Sequence, residues 1–312
     1  MAVAGLALSG CGSGSATSSR GVVTKPARSA KSHSVTETSP PRPKPPPPSY
    51  PRLLGAATSS LPTGFVPAVS WEGQTAAWVA RSQAGIALLS FNQHLLVLGL
   101  HSGTVDAGAA GWRLGPSLAG SESRHLVAAF NGGFKLDTGA GGFMFYGRVA
   151  VSLSDGLGSI VTYADGYTDI GAWGQQLPAP GQRVASVRQN LTLLIDNGRA
   201  APSVDCVSCW GATLGGVSDP ARSALGITAD GRLIWAGGEH LTPADLATAL
   251  LGARVVRAVE LDINPEWVAA YLYGHRGGVG RLAPVPIVPG QPGVPGQFLV
   301  PYSRDFFTVI AR

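Results

Sequence analysis

Two acidic residues stand two positions apart at the end of an apolar run, in the segment AVELDINPEW (258–267). Because successive side chains of a strand alternate between its faces, Glu260 and Asp262 are predicted to share one face. A buried carboxylate is unfavourable unless it is paired, hydrogen-bonded or bound to a cation. The pair is suited to act as nucleophile and general base in a hydrolysis, and the alternative is a structural ion pair with an arginine at the strand end.

A second apolar run, AFNGGF (129–134), ends in an asparagine and two glycines. Gly132 and Gly133 permit a tight turn or the close approach of a ligand, and the Asn131 amide can both donate and accept hydrogen bonds. We therefore consider these three residues as candidate substrate-binding residues. A hairpin turn without a binding role is the alternative.

Arginine precedes a further apolar run in ARSALG (221–226). The guanidinium of Arg222 can hold a phosphate through two parallel hydrogen bonds, and an ion pair at the rim of the fold is the alternative. The segment YSRDFF (302–307) comes before a closing strand, FFTVIA, and is expected to pack at a sheet edge.

Cys206 and Cys209 form a C-x-x-C pair. A small-loop disulfide is the first interpretation for an exported protein, and free thiols, redox chemistry or metal binding are the alternatives. The six histidines are scattered, and the domain contains no Walker A, nucleophile-elbow or S-x-x-K signature. No metal and no cofactor are expected.

A helix and a strand are expected to position the acidic pair. Thr242 suits the N-cap of the helix, Pro243 its first position, and the charge of Asp245 the positive end of the helix dipole, with Gly252 at the end. The helix leads directly into the strand 255–262. Strands that follow helices in this way often carry ligand sites at their C-terminal ends.

Three dipeptides predict hairpins: Asp165-Gly166, Asn197-Gly198 and Asp230-Gly231, each between β-type runs. Further strands are expected at 84–91 and 95–100. The fold class predicted for 62–312 is α/β, with a mixed, largely antiparallel sheet and a few helices in a single domain.

The N-terminal part is predicted to target the protein and to tether it. Residues 1–11 end in Leu-Ser-Gly-Cys, which resembles a lipobox in which Cys11 is lipidated. Residues 12–61 are rich in Ser and Thr and then in Pro, a composition that does not fold by itself. We expect a lipid anchor at Cys11, a disordered linker, and a place at the extracytoplasmic face of the cell membrane or, failing the anchor, secretion.

The charge of the chain argues against a nucleic-acid partner. Residues 1–60 contain seven Lys/Arg and one acidic residue, a net charge of +6 (7 − 1), which exceeds the formal charge of +5 of the whole chain. The remaining 252 residues have 16 basic and 17 acidic side chains, a net of −1. A folded part without basic excess has no electrostatic basis for binding nucleic acid.

Five segments in order (AFNGGF, GGFMFYG, ARSALGITADG, LTPADLATALL and AVELD) resemble the phosphodiester glycosidase domain family. The resemblance covers about Phe91 to Tyr273. It implies an α/β domain whose cleft cleaves a sugar 1-phosphodiester, with Asn131, Gly132, Gly133, Arg222 and Asp262 at the matching motif positions. Ser223 and Asn264 adjoin two of these positions and are included as substrate-binding candidates.

The sequence departs from the family motif directly after Asp262. Members of the family typically continue Leu-Asp-Gly-Gly-Gly-Ser, whereas this chain continues Ile263-Asn264-Pro265-Glu266. Under the glycosidase interpretation Arg222 holds the phosphate, Asp262 in preference to Glu260 acts as nucleophile or base, and Glu266 is a further candidate. The expected partner is then a glycan or sugar-phosphate substrate, and a non-catalytic, wall-glycan-binding envelope lipoprotein is the alternative.

Overall fold

The computed structural model describes residues 49–55, 63–108, 111–118, 120–211, 216–217, 219–276 and 281–312. Within these residues the chain forms nineteen strands, one α-helix and four short 3-10 turns. The strands and the helix are β1 (Arg52–Leu53), β2 (Val66–Trp71), β3 (Gln74–Arg81), β4 (Ala87–Phe91), β5 (Leu96–His101), β6 (Leu126–Asn131), β7 (Phe143–Phe145), β8 (Arg148–Val151), β9 (Gly158–Tyr163), β10 (Thr168–Ala172), β11 (Val184–Gln189), β12 (Leu193–Asp196), β13 (Arg199–Ala200), β14 (Arg222–Thr228), β15 (Leu233–Gly238), α1 (Pro243–Gly252), β16 (Val255–Glu260), β17 (Ala270–His275), β18 (Leu282–Pro286) and β19 (Phe306–Ala311).

The strands form three antiparallel sheets. The largest has the order β1-β2-β3-β4-β15-β14-β16-β12-β13, and the two five-stranded sheets have the orders β10-β9-β11-β7-β8 and β18-β17-β6-β19-β5. The predicted fold class, a largely antiparallel α/β domain, is confirmed, with a single α-helix in the described residues.

All three predicted hairpins are present. Asp165-Gly166 joins β9 to β10, Asn197-Gly198 joins β12 to β13, and Asp230-Gly231 joins β14 to β15. Each glycine has a positive φ between 70° and 88°, which is the backbone conformation that such tight turns require. The strands expected at 84–91 and 95–100 also form, as β4 and β5, but they belong to different sheets.

Helix α1 begins with the predicted cap. The Thr242 hydroxyl accepts a hydrogen bond from the Asp245 N–H, and the Asp245 carboxylate accepts one from the Thr242 N–H. This reciprocal capping box satisfies two of the free N–H groups at the helix start. Leu246 and Leu250 are fully buried against the largest sheet, so the helix fixes the direction in which the chain enters β16.

Phe130, on β6, lies where the sheets meet. Its ring centroid is 6.2 Å from that of Phe91, 6.1 Å from Trp235 and 5.5 Å from Phe307, so it contacts strands of two sheets. Fully burying such a ring contributes about 1.5–3 kcal/mol. Asn131 follows directly, and the core therefore sets the position of the NGG segment.

Two sequence predictions about strands differ from the structure. Strand β16 ends at Glu260, so Asp262 lies in the following turn and not on the strand. Strand β19 lies between β6 and β5, so the segment before it enters the sheet interior and not an edge. Both differences have the same cause, which is pairing with strands far away in the chain.

Residues before the expected boundary between linker and domain, at 61/62, also belong to the largest sheet. Strand β1 pairs with β2, because Leu53 packs against the apolar core and Tyr50 stacks on His275 with centroids 5.5 Å apart. The predicted lipidation of Cys11, and most of the predicted linker, lie outside the described residues. In the described part of the chain, no helix is long and apolar enough to cross a membrane.

Candidate active site

Strand pairing brings the predicted site residues into one hydrogen-bonded network. The Asn131 side-chain Nδ2 donates to Ser223 Oγ at 2.9 Å, and Ser223 Oγ donates to the backbone carbonyl of Asp262 at 3.0 Å. The Asp262 N–H in turn donates to the Gly132 carbonyl at 3.0 Å. These residues, which are up to 131 positions apart (Asn131 to Asp262), are therefore held together at the ends of β6, β14 and β16.

Asn131 and Ser223 act within the protein interior. Their exposed fractions are 2% and 0%, and the Asn131 Nδ2 also donates to the Gly132 carbonyl. Neither residue lines the cleft over Asp262 that is described below. The geometry gives them the task of positioning Asp262.

Arg222 and Glu260 form what we term the closed centre. The Arg222 Nη1 donates to Glu260 Oε1 at 2.7 Å and to the Trp210 carbonyl at 2.9 Å, and its Nε donates to the Leu241 carbonyl at 2.9 Å. Both side chains are at most 1% exposed. The guanidinium predicted to hold a phosphate is therefore engaged with internal acceptors, away from the cleft.

Asp262 and Arg304 form what we term the open centre. The Arg304 Nη2 donates to Asp262 Oδ2 and to the Gly133 carbonyl, both at 3.0 Å, and its Nε contacts a carboxylate oxygen of Asp106. The Arg304 Nη1 has no hydrogen-bond partner among the described residues. Arg304 is one of the residues that line the cleft described next.

A cleft of about 720 Å³ lies over the open centre. Its lining includes the charged and polar side chains of Asp262, Asn264, Arg304 and Lys135 and the indole ring of Trp267. The volume lies within the range of about 300–1,000 Å³ that is usual for small-molecule sites. One carboxylate, two cations and an aromatic ring thus meet on one surface.

The two glycines of the NGG segment have a packing role. A Cβ at position 132 would lie 2.1 Å from Asp305 Oδ2, and one at position 133 would lie 2.8 Å from the Arg188 Cζ. Asp305 and Arg188 form a buried two-pronged ion pair, with nitrogen–oxygen distances of 2.8 and 3.2 Å. Glycine is therefore required for the approach of this ion pair and not for that of a ligand.

The turn after Asp262 is ordered without glycine. The Asn264 N–H donates to Asp262 Oδ1 at 2.9 Å, and the Asn264 side chain accepts the Glu266 N–H at 3.0 Å. These bonds form two successive Asx turns, which use short side chains in place of left-handed glycines. The turn fixes Asp262 and brings Trp267 to the cleft, with the Arg304 Cζ 5.5 Å from its ring centroid. Glu266 is exposed and does not line the cleft.

The two carboxyl groups are predicted to titrate above their ordinary range. Burial raises the pKa of Asp262 to about 6, against the opposing effects of Arg304 and the Asn264 N–H. Burial raises the pKa of Glu260 to about 8, with the Arg222 charge opposing. The Glu260 Oε2 has no partner among the described residues, so burial of this oxygen is not offset. Asp262 is therefore mostly ionised at neutral pH, which suits a base or nucleophile.

A disulfide joins Cys206 to Cys209 at one side of the cleft. It closes the 3-10 turn Val207–Trp210, in which the Trp210 Nε1 donates to the Ser203 carbonyl at 2.9 Å. Because the Trp210 carbonyl accepts from Arg222, the turn contacts both the cleft and the closed centre. Among the described residues, no group of three or more His, Cys, Asp or Glu side chains is arranged to hold a metal ion.

Four charged residues at this site were not identified from the sequence: Asp106, Lys135, Arg188 and Arg304. One signal was available, because Arg188 is the only charge in the strand VASVRQ and Arg304-Asp305 directly precedes the uncharged strand FFTVIA. Charges in such positions need buried partners. The identity of those partners depends on sheet pairing.

Comparison with known proteins gives likeness of fold alone. No family model matches the chain, and no curated protein sequence matches it. The catalytic domain of zebrafish N-acetylglucosamine-1-phosphodiester alpha-N-acetylglucosaminidase, auto-inhibited by its pro-peptide, aligns over 85% of this chain and 88% of its own, with 14% identity and a TM-score of 0.44. A hypothetical protein from Synechocystis aligns over 77% and 63%, with 12% identity and a TM-score of 0.41. A putative exported protein from Burkholderia pseudomallei aligns over 72% and 73%, with 14% identity and a TM-score of 0.34.

Proposed function

We propose that this chain hydrolyses sugar 1-phosphodiesters at the open centre. The observation that carries the proposal is the cleft in which Asp262 lies beside Arg304, together with Lys135 and Trp267. Arginine and lysine neutralise phosphate oxygens, and an indole face packs against the carbon–hydrogen face of a sugar. Each part of such a substrate therefore has a matching group in one cleft.

The reaction breaks the bond between the anomeric carbon and the phosphate oxygen. Asp262, as general base, takes a proton from the water that attacks the anomeric carbon. Alternatively, Asp262 attacks that carbon itself as nucleophile, and water then cleaves the resulting glycosyl–aspartate ester to release the sugar and regenerate the carboxylate. The electron pair of the broken bond leaves with the phosphate. Arg304 Nη1 and Lys135 stabilise that charge, so the leaving group needs no strong acid.

In this proposal the phosphate is bound by Arg304, and not by Arg222 as the sequence suggested. Arg222 is 1% exposed and donates to two backbone carbonyls and Glu260, whereas Arg304 lines the cleft. In this proposal, Asn131 and Ser223 position Asp262 through their hydrogen bonds. Gly132 and Gly133 leave room for the neighbouring Arg188–Asp305 ion pair. Asn264 contributes through the turn that holds the Asp262 carboxylate.

Hydrolysis by the full chain tests the proposal. A panel of sugar 1-phosphodiesters, varied in sugar and in anomeric configuration, is incubated with the wild type, Asp262→Asn and the matched variant Glu260→Gln, and the released sugar is measured. We expect turnover by the wild type and by Glu260→Gln. We expect a loss of about 10²–10⁴-fold for Asp262→Asn, the usual contribution of a general base.

A non-catalytic glycan-binding function is the second candidate. It is favoured by one observation, namely that both Asp262 carboxylate oxygens already accept hydrogen bonds within the protein. Glycan binding by the wild type, unaltered in Asp262→Asn and without turnover of any panel member, would establish this function in place of hydrolysis.

We further propose that Cys11 anchors the protein at the extracytoplasmic membrane face, where envelope glycans are the available substrates. The support is the Leu-Ser-Gly-Cys sequence and the Pro-rich segment that follows it. Cys11→Ala should move the protein from the membrane fraction to the soluble fraction after cell breakage. An unchanged distribution would refute the anchor.

A further inference from the structure

One wall of the cleft is apolar and immediately adjoins its charged residues. Phe134 precedes Lys135 in the chain, and Ile263 follows Asp262. Gly211, with φ +90°, lies against both of these side chains. A Cβ at this position would be 2.6 Å from Phe134 Cζ and 2.9 Å from Ile263 Cδ1. Phe134 is half-buried and Ile263 is 3% exposed, so the Phe134 ring, backed by Ile263, presents the apolar surface beside the proposed phosphate position.

Leu191 extends this surface with a strained backbone. Its φ is +53°, in the left-handed region that is unfavourable for a residue with a side chain. The Leu191 N–H donates to the Ala140 carbonyl at 2.7 Å, and its own carbonyl accepts the Gly158 N–H at 2.8 Å. These bonds hold a half-buried leucine on the cleft wall in a conformation that glycine or asparagine would adopt at lower cost.

A sugar is poorly matched to this wall. Its hydroxyl groups need hydrogen-bond partners, and the side chains of Phe134, Leu191 and Ile263 offer none. The aromatic and polar groups suited to a sugar, Trp267 and Asn264, lie in the turn that follows Asp262. The second ester group of a bound phosphodiester is therefore the part of the substrate that suits the apolar wall.

We infer that Phe134 and Leu191, with the buried Ile263 behind them, form a subsite for a hydrocarbon aglycone, so that the substrates are sugar 1-phosphodiesters of a lipid-like alcohol. This inference rests on the proposed function and narrows its substrate class. Each methylene that moves from water into such a subsite strengthens binding about fourfold, from about 0.8 kcal/mol per buried group. The aglycone thus adds affinity that depends on chain length.

Alkyl phosphates test the subsite without any need for hydrolysis. Isothermal titration of the full chain compares ethyl phosphate with hexyl phosphate, below the micellar range. We expect hexyl phosphate to bind at least about tenfold more tightly, which corresponds to two or more buried methylenes. Equal affinities, or no binding of hexyl phosphate at millimolar concentration, would overturn the inference.

Leu191→Asn is the matched variant, because asparagine is close to leucine in size, tolerates a positive φ and is polar. It should retain the ethyl phosphate affinity and lose most of the preference for hexyl phosphate. Phe134→Ser tests the same wall independently, should either variant fold poorly in a thermal melt. A hexyl preference unchanged in both folded variants would place the hydrocarbon elsewhere.

Turnover separates this inference from the function on which it rests. Hydrolysis of methyl and hexyl phosphodiesters of one sugar with equal kcat/KM would remove the aglycone subsite and leave the hydrolase proposal intact. Preferential binding of hexyl phosphate without hydrolysis of any sugar 1-phosphodiester would remove the hydrolase and leave an apolar phosphate-ester site.

Discussion

The closed and the open centre are built from the same parts. In each, an arginine donates to a carboxylate and to backbone carbonyls: Arg222 to Glu260, and Arg304 to Asp262. The carboxylates are two residues apart, yet Glu260 ends a strand whereas Asp262 lies in the turn beyond it. Two residues of chain therefore separate an arginine–carboxyl pair sealed in the interior from one that lines a cleft.

This difference shows that composition does not identify a catalytic pair. Both carboxyl groups are buried, and burial raises the pKa of each. What distinguishes them is the surface that each pair faces. Function at this site is therefore assigned by accessibility to a ligand, and variants that treat the two centres alike measure the distinction directly.

The two single variants Arg222→Lys and Arg304→Lys should show the largest difference in activity between the two centres. Lysine keeps the charge but loses the planar fork, so each variant leaves one or more internal acceptors unpaired and loses about 1–3 kcal/mol of unfolding free energy. Only Arg304→Lys should also lower kcat/KM by about 10²–10³-fold, as loss of a donor to the developing charge does. Activity assays and chemical denaturation measure the two effects. An equal loss of activity in Arg222→Lys would refute the contrast.

The pH dependence of stability should separate the two carboxyl groups. Each has a folded pKa above its unfolded value, so its contribution is complete below about pH 4 and is lost as the pH rises through about 6 for Asp262 and about 8 for Glu260. Each such group lowers the unfolding free energy by about 1.4 kcal/mol per pH unit in its window.

Two matched variants divide that profile. Glu260→Gln should flatten the fall between pH 6 and 8, whereas Asp262→Asn should leave that fall in place and reduce the slope below pH 6 to about half, since Glu260 still titrates there. Denaturation at a series of pH values gives both curves. A pH 6–8 slope that persists in Glu260→Gln would assign it to another group.

Loss of the disulfide should lower the free energy of unfolding more than it lowers turnover at the open centre. The pair closes a loop of four residues, for which the chain-entropy relation gives about 2 kcal/mol. The double variant Cys206→Ser/Cys209→Ser should lose that amount in denaturation and keep turnover within about tenfold, since no cysteine has a role in the proposed chemistry. A larger loss of turnover with the stability unchanged would make the turn part of the open centre.

Lys135→Gln should give the smallest effect and confine it to the open centre. Lys135 is exposed, and such a cation contributes about 1 kcal/mol or less to a phosphate contact in water. KM should rise about three- to fivefold, and the dependence of KM on salt should weaken, with stability unchanged. Steady-state kinetics at low and high ionic strength provide the measurement, and an unaltered salt dependence would exclude Lys135 from the phosphate site.

The local features of this fold follow from the sequence. Asp230-Gly231 specifies a hairpin and Thr242-Pro243-Ala244-Asp245 specifies a helix start, because both depend only on neighbouring residues. The candidate site is predictable in part, since Asp262 follows an apolar run in the AVELD segment.

The partners of Asp262 depend on the tertiary fold. Arg304 is 42 positions away from it, and Arg188 is 117 positions away from Asp305. These contacts arise only once β19 has entered between β6 and β5, which no local pattern encodes. For the same reason Arg222 suggested a phosphate ligand: its pairing with Glu260 follows from the register of β14 with β16.

The Asx turns after Asp262 bear on the entropy of ligand binding. A turn made of glycines samples many conformations and must be ordered when a ligand arrives, at about 1–2 kcal/mol for each backbone residue fixed. Here Pro265 restricts φ and the Asn264 hydrogen bonds fix the turn before binding. The ordering cost is thus met during folding, and a ligand encounters Asp262 and Trp267 already in place. The same rigidity narrows the range of shapes to which this cleft can adapt.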